Sequence, residues 1–323
     1  MTMIDIFKLP SGLSGLPAQF GNQARSIFDR FVAPLNEAGP PASLYHYTDE
    51  AGLKGILESG TLWFTDLFCL NDKSELKFGL SHLADVLERK CAGQPPQVRE
   101  FVSKFKTIFS FDHVVALADY FSCSFSNAGD DLNQWKAYCD NCKGYAIEFD
   151  GNIFQDIFAQ EAAGKPGVNY VNFPVNYGDR SIVPWLQELS DQVAAALRPL
   201  KGYYPGTVRR KFFLELGSYL VTWGMFISLG HKDEAFKNEG EYRFLQLHLT
   251  NRPRSGIHTR MRYGKVARYR KFDWRNSGRP ILKSIVIGPG LDRDRSEDFV
   301  QGCLREYKSN KVSIRSSNIP LRI

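Results

Sequence analysis

The residues best placed to do chemistry stand early in the chain. Leu44-Tyr45-His46-Tyr47-Thr48 reads as a strand, Asp49–Ser59 as a helix capped by Asp49, Gly60 as its stop, and Thr61–Thr65 as a strand carrying Trp63. His46 and Thr48 are two apart, so a strand puts them on one sheet face, where imidazole and hydroxyl can both hydrogen-bond one polar ligand. Far downstream, Asn238-Glu239-Gly240-Glu241-Tyr242-Arg243-Phe244 sets a carboxylate at the head of an alternating strand, Glu241–Leu249. Each group also has an ordinary reading. His46 can be a satisfied strand histidine, Trp63 core packing, and Glu241 a surface charge paired with Arg243 or Lys237.

Other clusters stand between and after these. Asn71-Asp72 with Glu75 reads as a helix start or as a polar cleft wall. With Glu241 these acids could surround a metal, as in a metal-dependent nuclease. Phe121-Ser122-Cys123-Ser124-Phe125-Ser126 is a serine-bearing strand in which Ser124 is the candidate to line a cleft, although alternation permits Ser122 and Ser126 equally. Trp135 and Tyr138 share a helical face and read as core. Cys139-Asp140-Asn141-Cys142 is a lone pair of thiols without the four ligands that zinc wants, so no metal site is assigned. Residues 251–280 hold ten Lys or Arg against one acid, Asp273. Arg252, Arg254, Arg260, Arg262, Lys265, Arg268, Arg270, Lys271 and Arg275 interleave there with Tyr263, Tyr269, Phe272 and Trp274. Cations that track phosphates and rings that stack bases suit RNA or DNA; a solvated loop or hairpin is the alternative.

The run His46-x-Thr48, the Ile56-Leu57-x-x-Gly60 helix end, the aromatic Trp63 and the late Glu241-Tyr242 resemble the histidine-type ADP-ribosyltransferases. The resemblance implies a split mixed or antiparallel sheet and NAD as substrate. His46, Thr48, Tyr45, Trp63 and Ser124 would hold it, and Glu241 would be the catalytic carboxylate. Trp63 stands where those families often have Tyr beside the nicotinamide. The acceptor would be a macromolecule, and relatives of this type act as toxins or in phage defence. The Tyr-His-Tyr-Thr, Asn-Asp-x-x-Glu, Trp135, Tyr138, Gly144 and Glu-Tyr-Arg blocks together also resemble a bacterial family of unknown function, over residues 44–290. A binding module that kept the cleft without turnover is the competing expectation.

These groups must be positioned by alternating strands and helices. Strands are expected at Tyr120–Ser126, Gly144–Phe149, residues 168–177, Glu241–Leu249, Pro280–Ile287 and Val312–Ile319. Helices are expected at Gln19–Leu35, from residue 73 to about Lys90, at Gln94–Leu117, Leu132–Cys139, Pro184–Leu197, Thr207–Leu229 and Ser296–Lys308. No regular strand–helix–strand repeat emerges, which argues α+β. The expected organisation is a helical arm over residues 1–40 and one domain over 41–323, with large helical insertions near 73–117 and 180–230.

Composition sets the frame. The 323 residues are 43% apolar and 24% charged, with net charge +6, ordinary for a folded chain that can bury a large core. Six irregularly spaced Cys imply no disulfide framework. The start, MTMIDIFKLPSG, lacks the basic and apolar stretches of a signal peptide, and Phe212–Gly230 contains Glu215 and reads as a buried helix. The expectation is a cytoplasmic protein without a membrane span.

Overall fold

The computed structural model describes residues 8–69, 74–108, 118–163, 168–249, 256–262, 264–275, 277–306 and 311–321. The strands are β1 (Ser43–Thr48), β2 (Thr61–Asp66), β3 (Ala118–Ser126), β4 (Tyr145–Asp150), β5 (Val168–Pro174), β6 (Asn176–Tyr177), β7 (His231–Lys232), β8 (Glu241–Leu249), β9 (His258–Arg262), β10 (Lys265–Asp273), β11 (Leu282–Ile287) and β12 (Ser313–Ser316). The chain divides into two compact units, one of residues 1–37, 72–118 and 176–234, the other of residues 38–71, 119–175 and 235–323.

The first unit is helical, built from helices Leu16–Ala38, Ser74–Cys91, Pro96–Ile108, Asp179–Leu197 and Gly206–Leu229, with β6 and β7 pairing in parallel. Helix Gly206–Leu229 is apolar on nearly every side, burying Phe212, Phe213, Leu216, Leu220, Val221, Met225 and Ile227. Among the described residues it is the helix long and apolar enough to cross a membrane, yet 67% of its most apolar window is buried in the fold. Gly224 lies against Leu83 and Gly79 against Ser228, so side chains there would force this helix and Ser74–Cys91 apart.

The second unit is a ten-stranded sheet, mixed but mostly antiparallel, so the chain is α+β. Its path runs β12-β11-β4-β1-β3-β2-β10-β9, with β8 on β3 and β5 on β8. One face carries Leu44, Phe64, Phe121, Phe125, Phe149, Phe244 and Phe272, packed under Leu53 and Leu57 of helix Glu50–Ser59, Phe154 and Phe158 of helix Gly151–Ala163, and Val300 and Leu304 of helix Arg293–Glu306. Helix Glu50–Ser59 forms as its caps dictate. Asp49 accepts the Gly52 N–H at 2.7 Å, and Gly60 takes the left-handed φ of 65° that stops the helix.

Several elements differ from expectation. Helix Gly151–Ala163 was not anticipated, because Asp150-Gly151 reads as a turn; Asp150 instead caps the helix, accepting the Ile153 N–H at 2.9 Å. The helix expected from Pro184 begins at Asp179, and the last strand ends at Ser316. Residues 109–117 of the helix expected to Leu117 lie outside the described residues; the part described ends at Ile108. The described part of the basic block forms a hairpin, β9 to β10, one of the two alternatives that its charge-rich sequence left open.

The sheet is split at β3. β1 meets β3 at Tyr45↔Ser126, whereas β2 meets it at Thr65↔Ser122 and Asp66↔Phe121. β8 follows β3 along its length, from the Glu241–Ser124 bond to the His248–Phe121 ring contact. A strand has two edges, so β1 and β2 occupy the two ends of the other edge and part around Ser124.

Candidate functional site

Alternation from these registers sorts the candidate residues by face. Phe125 belongs to the packed face, and the His46 ring meets it edge-on with centroids 5.7 Å apart. Thr48, two residues on, follows His46 to that side. Ser122, Ser124 and Ser126 point the other way, and the registers put Tyr45, Tyr47, Trp63, Thr65 and Tyr269 with them. Glu241 is there too, because Ser124 Oγ donates to Glu241 Oε1 at 2.5 Å.

The expected pairing of His46 with Glu241 on one ligand therefore needs correction. His46 and Thr48 do share a face, but Glu241 is on the opposite one. Imidazole and carboxylate meet the same residue from two sides. His46 Nδ1 lies 3.4 Å from the Ser124 carbonyl oxygen, a long contact that stands where the β1–β3 ladder has already ended. The alternation of a single strand, which places the Ser124 hydroxyl opposite the side chain of Phe125, separates the two groups. Burial pushes the His46 imidazole down to about 4, only partly opposed by the Ser124 carbonyl, so the ring is neutral at pH 7.

Glu241 is held in one position. Arg243 Nε donates to Oε1 at 2.7 Å and Arg243 Nη2 to Oε2 at 2.9 Å, a two-bond fork between side chains 5% and 3% exposed. The sequence reading of Glu241 paired with Arg243 holds in partner but not in place, since the pair is buried. The neighbouring serine, Ser126, donates to the Glu239 carbonyl at 2.8 Å and fastens the β3–β8 junction. Ser122 is buried, and its hydroxyl has no hydrogen-bond partner among the described residues. Of the three serines, Ser124 is the one that addresses the carboxylate.

Trp63 is 39% exposed, stacked on Tyr269 at 4.2 Å with the Arg260 guanidinium 4.8 Å from its ring. Arg260 also reaches Thr65 Oγ1 at 3.2 Å. Pairing of β9 with β10 divides the five basic candidates. Arg260 stands opposite Ala267 on the Trp63 side of the ladder, and the backbone of Arg262 pairs with Lys265. Arg268 and Arg270 alternate to the packed face. There Arg268 is committed to two buried carboxylates, Asp66 at 2.5 Å and Asp119 at 2.9 Å, which removes it from the phosphate-binding set. The Arg262 side chain, Tyr263, Arg252 and Arg254 lie outside the described residues.

The remaining candidates are structural. Trp135 is buried, donates Nε1–H to Asp130 at 2.8 Å, and packs edge-on against Tyr47, whereas Tyr138 is exposed and reaches Glu239. Cys139 and Cys142 are buried together under Trp135, and burial pushes the Cys139 thiol up to about 12, so Cys139 is not a ready nucleophile or ligand. Asp140, Asn141 and Cys142 take φ of 43°, 54° and 76°, a tight left-handed turn that returns the chain to β4. Asn71 and Asp72 lie outside the described residues, as does the Glu75 side chain. Among the described residues no three His, Cys, Asp or Glu side chains gather as a metal site. Sequence reasoning missed the buried charges Asp66, Asp119 and Glu148; Glu148, flanked by Ile147 and Phe149 in an apolar strand, was the legible signal.

Fold and site thus define an α+β protein whose split sheet carries a sealed Glu–Arg pair at the break. Residues 134–244, about a third of the chain, match the family described as Protein of unknown function (DUF2971). That span ends inside β8, so it includes Trp135, Glu241 and Arg243. Neither a curated protein nor a solved structure matches the chain.

Proposed function

We propose that the sheet unit is an ADP-ribosyltransferase-like NAD site, working in the cytoplasm on a macromolecular acceptor. The observation that carries this reading is the parting of β1 and β2 around Ser124, with Glu241 fixed on the Ser124 hydroxyl. Breaking a nicotinamide–ribose bond develops positive charge on the ribose, and a carboxylate already oriented at that place stabilises it without reorganisation. Tyr45, Trp63, Ser124 and Glu241 share the face on which NAD would lie. His46 is left a different task, filling the break from the packed side as a neutral ring. Arg260 and Lys265, with the Trp63–Tyr269 stack, favour RNA or DNA as acceptor, whose binding would weaken steeply with salt.

A second reading, a binding module without turnover, is favoured by the fork between Glu241 and Arg243. A carboxylate matched by a buried guanidinium has less field to offer a developing cation. Nicotinamide release from NAD separates the two. The transferase reading expects release that Glu241→Gln abolishes while NAD binding persists; NAD binding without release, unchanged by that substitution, selects the module.

A further inference from the structure

A cavity in the sheet unit shares only Tyr45 with the reading above. It is an open cleft of about 470 Å³ lined by Tyr45, Gly129, Asp130, Val286, Arg315 and Asn318, together with Ser316. That volume suits a small organic ligand.

Its walls are fixed from behind. Arg315 Nη2 donates to Glu148 Oε2 at 2.7 Å and to Ser284 Oγ at 2.8 Å, which sets the plane of the guanidinium. Glu148 is buried and further bonded by Ser43 Oγ at 2.6 Å and by Ser284, with Lys283 Nζ at 3.8 Å. It is a backing group rather than a free acid. The Arg315 side chain nevertheless stays 50% exposed. The other acid on the wall, Asp130, is likewise spoken for: Oδ1 accepts from Trp135 Nε1 at 2.8 Å and Ser317 Oγ at 2.6 Å, and Oδ2 from the Asn318 N–H at 2.8 Å. Tyr45 supplies an aromatic ring, with Gly129 close against it, and Val286 an apolar floor.

We infer that this cleft binds a mononucleotide, its phosphate on the outer edge of Arg315 and its base against Tyr45 and Val286. An oriented guanidinium recognises phosphate as a planar fork, and a ring beside an apolar floor recognises a base. Glu148 and Ser284 act as the groups that hold Arg315 ready, as a bound anion requires of its host. The inference does not rest on NAD turnover and stands whether or not Glu241 is catalytic.

Equilibrium titration of the full chain with AMP, adenosine and inorganic phosphate, each alone, tests it. AMP is expected to saturate one site below about 1 mM. Arg315→Gln should weaken AMP by roughly 10-fold or more and leave adenosine unchanged. Asn318→Trp, which blocks the exposed wall without touching Arg315, should weaken AMP and adenosine together, and it decides the matter if Arg315→Gln does not fold. Lack of AMP binding, or AMP affinity that survives Asn318→Trp, overturns the assignment. Equal affinity for phosphate and AMP overturns the role of Tyr45 and Val286.

Discussion

Two arginine–carboxylate pairs occupy the same face of one sheet and differ most sharply in exposure. Glu241–Arg243 is sealed, with side chains 5% and 3% exposed, whereas in Glu148–Arg315 the acid is 10% and the arginine 50% exposed. The charged groups are of the same type, although Arg243 forks onto both oxygens of Glu241 and Arg315 reaches one oxygen of Glu148; their contact with solvent is not the same. A sealed pair has exchanged hydration for its partner, so it fixes geometry and is costly to break. A half-open pair keeps part of its guanidinium for another anion and adds little to stability. Burial, more than residue type, decides which arginine is a pin and which is a hand.

Removing one partner from each pair breaks the comparison most forcefully. Arg243→Met leaves a buried carboxylate without its fork and should cost about 3–5 kcal/mol in denaturant unfolding. Arg315→Met should cost about 1 kcal/mol or less, because solvent screens that side. Equal losses would mean that exposure does not separate the two. Within the sealed pair, Ser124→Ala removes a hydrogen bond to a charged group and should cost about 1.5–3 kcal/mol. Ser122→Ala, on the same strand and face, should change stability by less than about 0.5 kcal/mol, since its hydroxyl has no described partner to lose. A Ser122→Ala variant as damaged as Ser124→Ala would contradict the assignment of Ser124 as the residue that holds Glu241.

How much of this was legible is best seen residue by residue. The Asp49 cap, the Gly60 stop and the extent of β8 follow from local rules, because each depends on a few neighbouring residues. Helix Gly151–Ala163 carried its apolar stripe, Phe154, Ile157 and Phe158, but the Asp-Gly that opens it is also turn chemistry. The candidate site was legible as a set of residues and not as an arrangement. Period-two alternation shows that His46 and Thr48 share a face; it cannot relate that face to Glu241, which depends on the register of β1 on β3 and on how β8 meets β3. The same lack of register hid the division of the basic block, where Arg268 turns to Asp66 and Asp119.

The placement of His46 has a pH signature. Its folded-state pKa is depressed to about 4 from an ordinary 6.5, so between those values the unfolded chain takes up a proton that the folded chain refuses. Its contribution to stability is therefore whole above pH 6.5 and declines as the pH falls toward 4. The decline should be about 1–2 kcal/mol, reduced from the full shift because the ring is half-buried. Unfolding free energies from pH 7 to pH 4 for wild type and His46→Gln measure it, and a wild-type profile no steeper than the variant's would place the imidazole in water.

The most direct measurement is nicotinamide release from NAD by wild type, Glu241→Gln and His46→Gln side by side. The account predicts release by wild type, its loss in Glu241→Gln with NAD binding retained, and its persistence in a folded His46→Gln. Release that disappears with His46 and survives at Glu241 would contradict the account, because it would move the chemistry to the other face of the sheet.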